Sequence, residues 1–183
     1  MIIMNSLIVY TGTRHISKCA KEIIQAAMPI QCVEATFLAI YLSSILTQVD
    51  RIPLSFKSRL IGTTSRSVFR HIVLVVRYQN KFGALGISRR SSLMWKDVRF
   101  DSLYELIMEF RDSYRMVSHE LLAIYLGLPI PHDLSIDAPV KWKAVRVSMH
   151  QDDRNIEEQV NAYSINVNRI IARSSVNSAL PKI

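Results

Sequence analysis

The sequence predicts an α+β fold in which helices pack on an antiparallel sheet. Helix-spaced apolar stretches open and close the chain, and stretches rich in β-branched residues lie between them. Their order lacks the strand–helix–strand alternation of a doubly wound sheet. The 183 residues are 49% hydrophobic and 21% charged, which is enough to bury a core. We expect one domain over residues 1–183, with a short N-terminal segment (1–13) and a loose tail from about 175 to 183.

Two helices are predicted on either side of Pro29. Ser17 is a suitable N-cap for a helix over residues 18–27, with Cys19 facing the core. Pro29 separates this helix from a second one over residues 31–47. Because the second helix is apolar on nearly every side, we expect it to be buried on most of its surface.

A β-hairpin is predicted next. Residues 67–79 (SVFRHIVLVVRYQ) and 81–89 (KFGALGISR) have the composition of strands. A turn at Gln79–Asn80 would pair Tyr78 with Lys81.

Three further elements are predicted towards the C-terminus. Residues 102–127 have helical spacing as far as Gly127, which would stop the helix. Residues 140–149 alternate polar and apolar side chains and predict a third strand. Residues 153–174 predict a final amphipathic helix.

Composition narrows the class of function. The net charge of +8 favours an acidic partner, but the basic residues are scattered and lack interleaved aromatic residues, which argues against nucleic acid. Two cysteines without C-x-x-C spacing predict neither a disulfide scaffold nor a metal site. The chain begins without a basic leader, and its longest apolar run is too short for a bilayer. We expect a soluble intracellular protein that does not bind membranes.

Cys32 is the candidate nucleophile because it falls at the predicted start of the second helix. Free N–H groups and the helix dipole at that end favour a thiolate, and the same N–H groups can stabilise an oxyanion. On placement alone, burial in the core is the better supported alternative, since free cysteine is among the most buried residue types. Cys19 is expected to be core.

His71 is the candidate base because a strand would hold its ring firmly. In the predicted hairpin register, His71 directly opposes Ser88, whose hydroxyl or carbonyl could accept the imidazole N–H. Arg89 and Arg90 follow immediately and suit a carboxylate, while Lys57 adds positive charge. Taken singly, Ser88 is better explained as a polar residue at a strand end, and Arg89 and Arg90 as solvated surface.

Four sequence blocks resemble the vasohibins, the tubulin tyrosine carboxypeptidases. The blocks are MPIQCVEATFLAIYL, IPLSFK, FRHIVLVV and FGALGISRRSSLM, and the likeness extends from about Thr11 into the last helix. The resemblance implies a transglutaminase-like, papain-like cysteine protease fold with a buried nucleophile helix on an antiparallel sheet. It implies Cys32 as nucleophile, His71 as base and Ser88 as the group that orients His71.

The resemblance also implies a substrate and partners. Lys57, Arg89 and Arg90 would hold the acidic tail of α-tubulin, and its terminal tyrosine would be released without a metal or other cofactor. The same resemblance implies that the protein is cytoplasmic and associated with the cytoskeleton. It also implies two partners, microtubules and a small vasohibin-binding protein.

The chain departs from the vasohibin pattern at three points. Gln31 stands where the family usually has lysine, and Ile8 stands where it has the tyrosine of YNHTGT. Only 31 residues precede Cys32, whereas vasohibins have a long N-terminal region that embraces the binding protein. These differences keep two alternatives open: an inactive basic module that binds microtubules, and a thiol enzyme that trims other acidic peptides or transfers acyl groups.

Overall fold

The computed structural model describes residues 11–27, 29–62 and 67–179, with side chains as far as residue 172. The helices are α1 (Thr13–Ala26), α2 (Cys32–Leu42), α3 (Leu103–Met116) and α4 (Asp153–Ala179). The strands are β1 (Asp50–Leu60), β2 (Phe69–Tyr78), β3 (Lys81–Leu85), β4 (Lys96–Phe100), β5 (His119–Leu126) and β6 (Val145–Ser148). The strands form one antiparallel sheet in the order β4-β3-β2-β1-β5-β6. The predicted α+β class is confirmed.

A layer of helices covers each face of the sheet. One apolar cluster joins Ile72 of β2 to Ile16 of α1 and Ile40 of α2. The other joins Phe56 of β1 and Val73 of β2 to α3 and α4. Since successive residues of a strand point to opposite faces, neighbouring residues of β2 serve different layers.

The β2–β3 hairpin has the predicted register. Tyr78 pairs with Lys81, and the two turn residues have φ values of 48° at Gln79 and 62° at Asn80. Positive φ at both positions is what a type I′ turn requires. The strand pairing ends at Leu74 with Leu85, so β2 continues towards its N-terminus without β3 beside it.

Helix α1 begins five residues earlier than predicted. Gly12, not Ser17, is the N-cap, and Gly12 forms a bridge with Pro139. The backbone N–H of Thr13 donates to the carbonyl of Ala138 at 3.0 Å. This anchor is more than 120 residues away in sequence, so local capping preference alone cannot indicate it.

Helix α2 is at least partly buried along nearly its whole length, as expected, and the apolar surface that stays exposed lies at its C-terminal end. It ends at Leu42 and continues as a 3₁₀ turn over Ser43–Ile45. Ala35, Thr36 and Ile40 are buried, whereas Leu42 and Ile45 are 59% and 81% exposed. Apolar composition thus overstates burial only at this end, because the rest of the helix packs against β2 and α1.

The single helix predicted over residues 102–127 is wrong. Helix α3 ends at Met116, the chain reverses at Ser118 with a φ of 59°, and the remainder forms β5. Strand β5 lies between β1 and β6, and none of its residues is exposed on either face. Its nearly continuous apolar pattern therefore fits a helix as well as an inner strand. Strands β1 and β4 were not predicted at all.

The C-terminal elements match their predicted type but not their limits. The strand expected over residues 140–149 shortens to β6, while Val140 and Trp142 pack into the cluster beneath α1 and α2. The backbone of α4 runs to Ala179, into the segment expected as a loose tail from about residue 175. Residues 1–10, which include Ile8, and residues 180–183 lie outside the described residues. None of the helices described here is long and apolar enough to cross a membrane.

Candidate active site

Cys32 is the first residue of α2, as predicted, with Gln31 as the N-cap. Burial raises the pKa of the Cys32 thiol and outweighs the backbone N–H groups, including that of Ile72, that favour the thiolate. The carboxylate of Glu34, which accepts the Gln31 backbone N–H at 3.2 Å, raises this pKa further. The low thiol pKa expected from the helix terminus is therefore wrong for the free protein, because desolvation dominates.

The Cys32 thiol lies against the backbone of β2 next to His71. Cys32 packs against the apolar cluster that contains Ile72, and the Ile72 N–H, which favours the thiolate, lies beyond Leu74, where the pairing of β2 with β3 ends. Cys32 approaches from the face that carries α1 and α2, whereas His71 and Phe56 belong to the opposite face. The two candidate side chains thus flank the same short segment of one strand.

His71 is fixed by stacking and by a backbone acceptor. Its ring lies 5.9 Å from the ring of Phe56, with an interplanar angle of 17°, and Nε2 lies 2.9 Å from the carbonyl oxygen of Leu93. A carbonyl only accepts, so Nε2 carries the proton and Nδ1 keeps the lone pair. Burial lowers the pKa of His71, against the opposing effect of the Leu93 carbonyl. A neutral imidazole with a free Nδ1 is the form that a general base requires.

Ser88 holds the neighbouring loop. Its Oγ accepts the backbone N–H of Arg90 at 3.2 Å. In the part of the chain described here, the hydrogen bond that orients His71 comes from the Leu93 carbonyl. Leu93 closes the 3₁₀ turn Ser91–Leu93. Sequence reasoning missed it because any residue supplies a backbone carbonyl, so no residue type marks this role.

The predicted basic residues present unpaired positive charge. Arg89 and Arg90 are exposed, and Lys57 is half-buried. Lys57 directly opposes Arg70 across β1 and β2, an arrangement that is unfavourable without an anion. Among the described residues, none of these four side chains forms an ion pair with a carboxylate. The surface around the candidate site is therefore suited to an acidic ligand.

Two side chains near the site were not foreseen. Tyr114 of α3 is 3% exposed, and its ring packs 5.5 Å from the ring of Phe56. His119 begins β5, and its Nδ1 lies 3.2 Å from the Oγ of buried Ser58. Burial lowers the pKa of His119, and the positive charge of Arg90 lowers it further. Tyr114 lies on a helix and is buried, as its spacing predicts, whereas His119 was assigned to the same helix, which hid its position on β5 beside β1.

Comparison with known proteins identifies the family. The vasohibin family model matches residues 12–168. The chain is also 40% identical over 124 residues to tubulinyl-Tyr carboxypeptidase 1 of Mus musculus. That alignment covers 68% of this chain and 32% of the mouse protein, so the match spans about a third of that relative's length. The match to the family model covers most of the chain, including Cys32, His71 and Ser88, and the chain belongs to the vasohibin family.

Proposed function

We propose that this protein is a thiol-dependent carboxypeptidase that releases the C-terminal tyrosine of α-tubulin. The observation that carries the proposal is the position of Cys32 at the N-terminus of α2, beside Ile72 of β2. The preceding residue of that strand is His71, whose ring is held by the Leu93 carbonyl. Family membership and the name of the mouse relative, a tubulinyl-Tyr carboxypeptidase, support the same reaction. The fold would be of the transglutaminase-like type.

In the first half of the reaction, the Cys32 sulfur attacks the last peptide carbonyl. Nδ1 of His71 accepts the thiol proton as the carbon–sulfur bond forms, and the carbonyl electron pair moves to oxygen. Burial disfavours both the Cys32 thiolate and the His71 imidazolium in the free protein. The thiol is therefore neutral before the reaction, and its proton moves to His71 during the attack. The tetrahedral intermediate collapses, the carbon–nitrogen bond breaks, and His71 returns the proton to the amine of the departing tyrosine.

In the second half, water hydrolyses the acyl-enzyme. His71 takes a proton from the water as its oxygen attacks the thioester carbonyl, and Cys32 leaves as the proton returns to sulfur. The Leu93 carbonyl keeps the imidazole in the same tautomer through both halves, since it accepts only from Nε2. This acceptor carries no formal charge, so it steers the ring more than it stabilises an imidazolium.

The basic residues would position the substrate. Lys57 and Arg70 lie opposite each other, and an acidic tail would relieve their repulsion. Arg89 and Arg90 offer guanidinium groups for the terminal carboxylate, and Ser88 holds the backbone of Arg90. We further propose that the protein works on microtubules in the cytoplasm, with a small vasohibin-binding protein as its partner.

The direct test is incubation of the protein with tubulin ending in tyrosine, followed by mass analysis of the tail. Cys32→Ala should abolish tyrosine release, whereas Cys19→Ala is the matched control. Cys19 lies on α1, where it contacts Nε2 of His15 at 3.3 Å, and its replacement should leave release unchanged. Full release by the Cys32→Ala protein would refute the proposal.

A second substrate series tests the carboxylate contact. Peptides with the tail sequence should be compared when they end in tyrosine, in phenylalanine and in tyrosine amide. We expect the amide to be released far more slowly, because Arg89 and Arg90 lose a charge-assisted partner. Equal rates for the acid and the amide would rule out recognition of the carboxylate by these arginines.

A non-catalytic binding module is the second candidate, and the raised pKa of Cys32 favours it. The two candidates differ in how the thiol depends on His71. If His71 is a base for Cys32, His71→Ala should slow alkylation by iodoacetamide at pH 7–8. An inert buried thiol would react at the same rate in both proteins.

A further inference from the structure

Tyr114 carries an isolated, buried hydroxyl group beside the aromatic stack that holds His71. The residue is 3% exposed, and its hydroxyl has no hydrogen-bond partner among the described residues. Burial raises the pKa of the phenol, and the negative charge of a Cys32 thiolate raises it further. The hydroxyl is therefore a buried donor that the fold itself leaves without an acceptor.

The ring of Tyr114 is held in the same aromatic stack as His71. Phe56 lies between them, with ring centroids 5.5 Å from Tyr114 and 5.9 Å from His71. Phe110 of the same helix packs 4.8 Å from Phe56 and closes the apolar side of this stack. Tyr114 thus belongs to the wall of the site on the face that carries His71.

An unpartnered buried hydroxyl costs stability, so its presence calls for an explanation. A donor that is buried in the stack of Phe56 and His71 and has no acceptor of its own suits an oxygen that arrives with the substrate. Backbone N–H groups of Ile72, Cys32 and Val33 already favour charge on the sulfur itself. The oxygen that gains the carbonyl electron pair needs a donor of its own.

We propose that the Tyr114 hydroxyl donates a hydrogen bond to the oxyanion formed when Cys32 attacks the substrate carbonyl. This role rests on the proposed function. As the carbon–sulfur bond forms, the carbonyl π pair becomes a lone pair on oxygen, and the phenolic O–H is the donor that meets it. The phenol keeps its proton, since the same buried surroundings disfavour the phenolate.

Tyr114→Phe removes only this oxygen atom. We expect kcat for tyrosine release to fall about 100-fold, as for loss of one oxyanion donor elsewhere, with little change in KM. The melting temperature should stay the same or rise, because a buried unpartnered group is removed. Tyr163→Phe is the matched control: Tyr163 is also buried but donates to the Gly127 carbonyl at 2.5 Å. That control should lower the melting temperature and leave kcat unchanged.

Two thiol probes separate the oxyanion from the thiolate. A tail peptide that lacks the tyrosine and ends in an aldehyde adds to Cys32 and places its oxygen where the oxyanion forms. Iodoacetamide reacts by displacement of iodide and forms no oxyanion. We expect Tyr114→Phe to weaken aldehyde binding by about the same factor as kcat and to leave the alkylation rate unchanged across pH.

The results for the wild-type protein and for Tyr114→Phe distinguish the role of Tyr114 from the identity of the substrate. Unchanged kcat and aldehyde affinity in Tyr114→Phe, with an active wild-type protein, would overturn the role of Tyr114 alone. A slower alkylation that matches the loss of kcat would also overturn it, because Tyr114 would then act on the thiolate. If the wild-type protein released no tyrosine but still bound the aldehyde more tightly than Tyr114→Phe, the proposed substrate would fail and the oxyanion contact would stand. A wild-type protein that neither releases tyrosine nor binds the aldehyde would refute both.

Discussion

Replacement of Ser88 by alanine distinguishes two roles for its hydroxyl. The Oγ atom accepts the Arg90 N–H at 3.2 Å, while Nε2 of His71 donates to the Leu93 carbonyl at 2.9 Å. A neutral hydrogen bond of this kind contributes about 0.5–1.5 kcal/mol. If all of it serves to place Arg90, its loss raises KM by about 2- to 12-fold. The value of kcat should then stay within about twofold.

Steady-state release of tyrosine from the tail peptide, measured over a range of pH, is the assay. A hydroxyl that oriented His71 would affect kcat instead, and loss of an orienting group from a catalytic histidine lowers kcat by up to about 10⁴-fold. If Ser88→Ala lost about 100-fold or more in kcat while KM stayed the same, this account of the site would be refuted. Arg90→Ala is the companion variant, since it should raise KM at least as much as Ser88→Ala.

Three further predictions concern charge and burial. The rate of alkylation of Cys32 by iodoacetamide should increase with pH and reach half its maximum above the ordinary thiol pKa of about 8.5, because burial raises the pKa of Cys32. A half-maximal rate below pH 7 would contradict this. Fully buried Arg51 donates to the carbonyls of Ile40 and Ile130 at 2.8 and 3.2 Å. Arg51→Met should therefore lower the free energy of unfolding, measured in urea, by about 2–5 kcal/mol. An unchanged midpoint of the urea unfolding curve would exclude these bonds as a source of stability. Arg111 lowers the pKa of Asp153, so this pair stabilises the fold above about pH 4 and ceases to do so as the pH falls through the lowered pKa. Asp153→Asn should therefore make the melting temperature depend less on pH in the acid range. An unchanged dependence would count against a stabilising role for the pair.

The hairpin was predictable because its information is local. Two β-branched stretches and a two-residue gap set the pairing of Tyr78 with Lys81, and the structure has that pairing. The start of α2 at Cys32 was also predictable, from Pro29 and the apolar residues that follow. The reversal at Ser118 was not, because β5 is an inner strand and its apolar residues satisfy helical spacing as well.

The candidate site divides in the same way. Cysteine and histidine are the residue types that thiol enzymes use as nucleophile and base, so Cys32 and His71 could be selected from the sequence. The Leu93 carbonyl belongs to the backbone, and Tyr114 resembles any apolar position of a helix. Their relation to the site depends on the packing of α3 and the 3₁₀ turn against β1 and β2, which no local pattern encodes.

The turn at Gln79 and Asn80 sets how β3 and the loop that follows it lie beside β2. His71 lies seven residues before the end of β2, roughly 23 Å along the strand. A slip of one residue in the pairing would turn every side chain of β3 to the opposite face of the sheet, while the pairing of β2 with β1 would keep His71 on the face of Phe56. The left-handed backbone at two non-glycine residues holds the pairing against that slip. One residue inserted into this turn would therefore shift the Leu93 carbonyl relative to a histidine that has not moved, without a change to any residue that contacts the substrate.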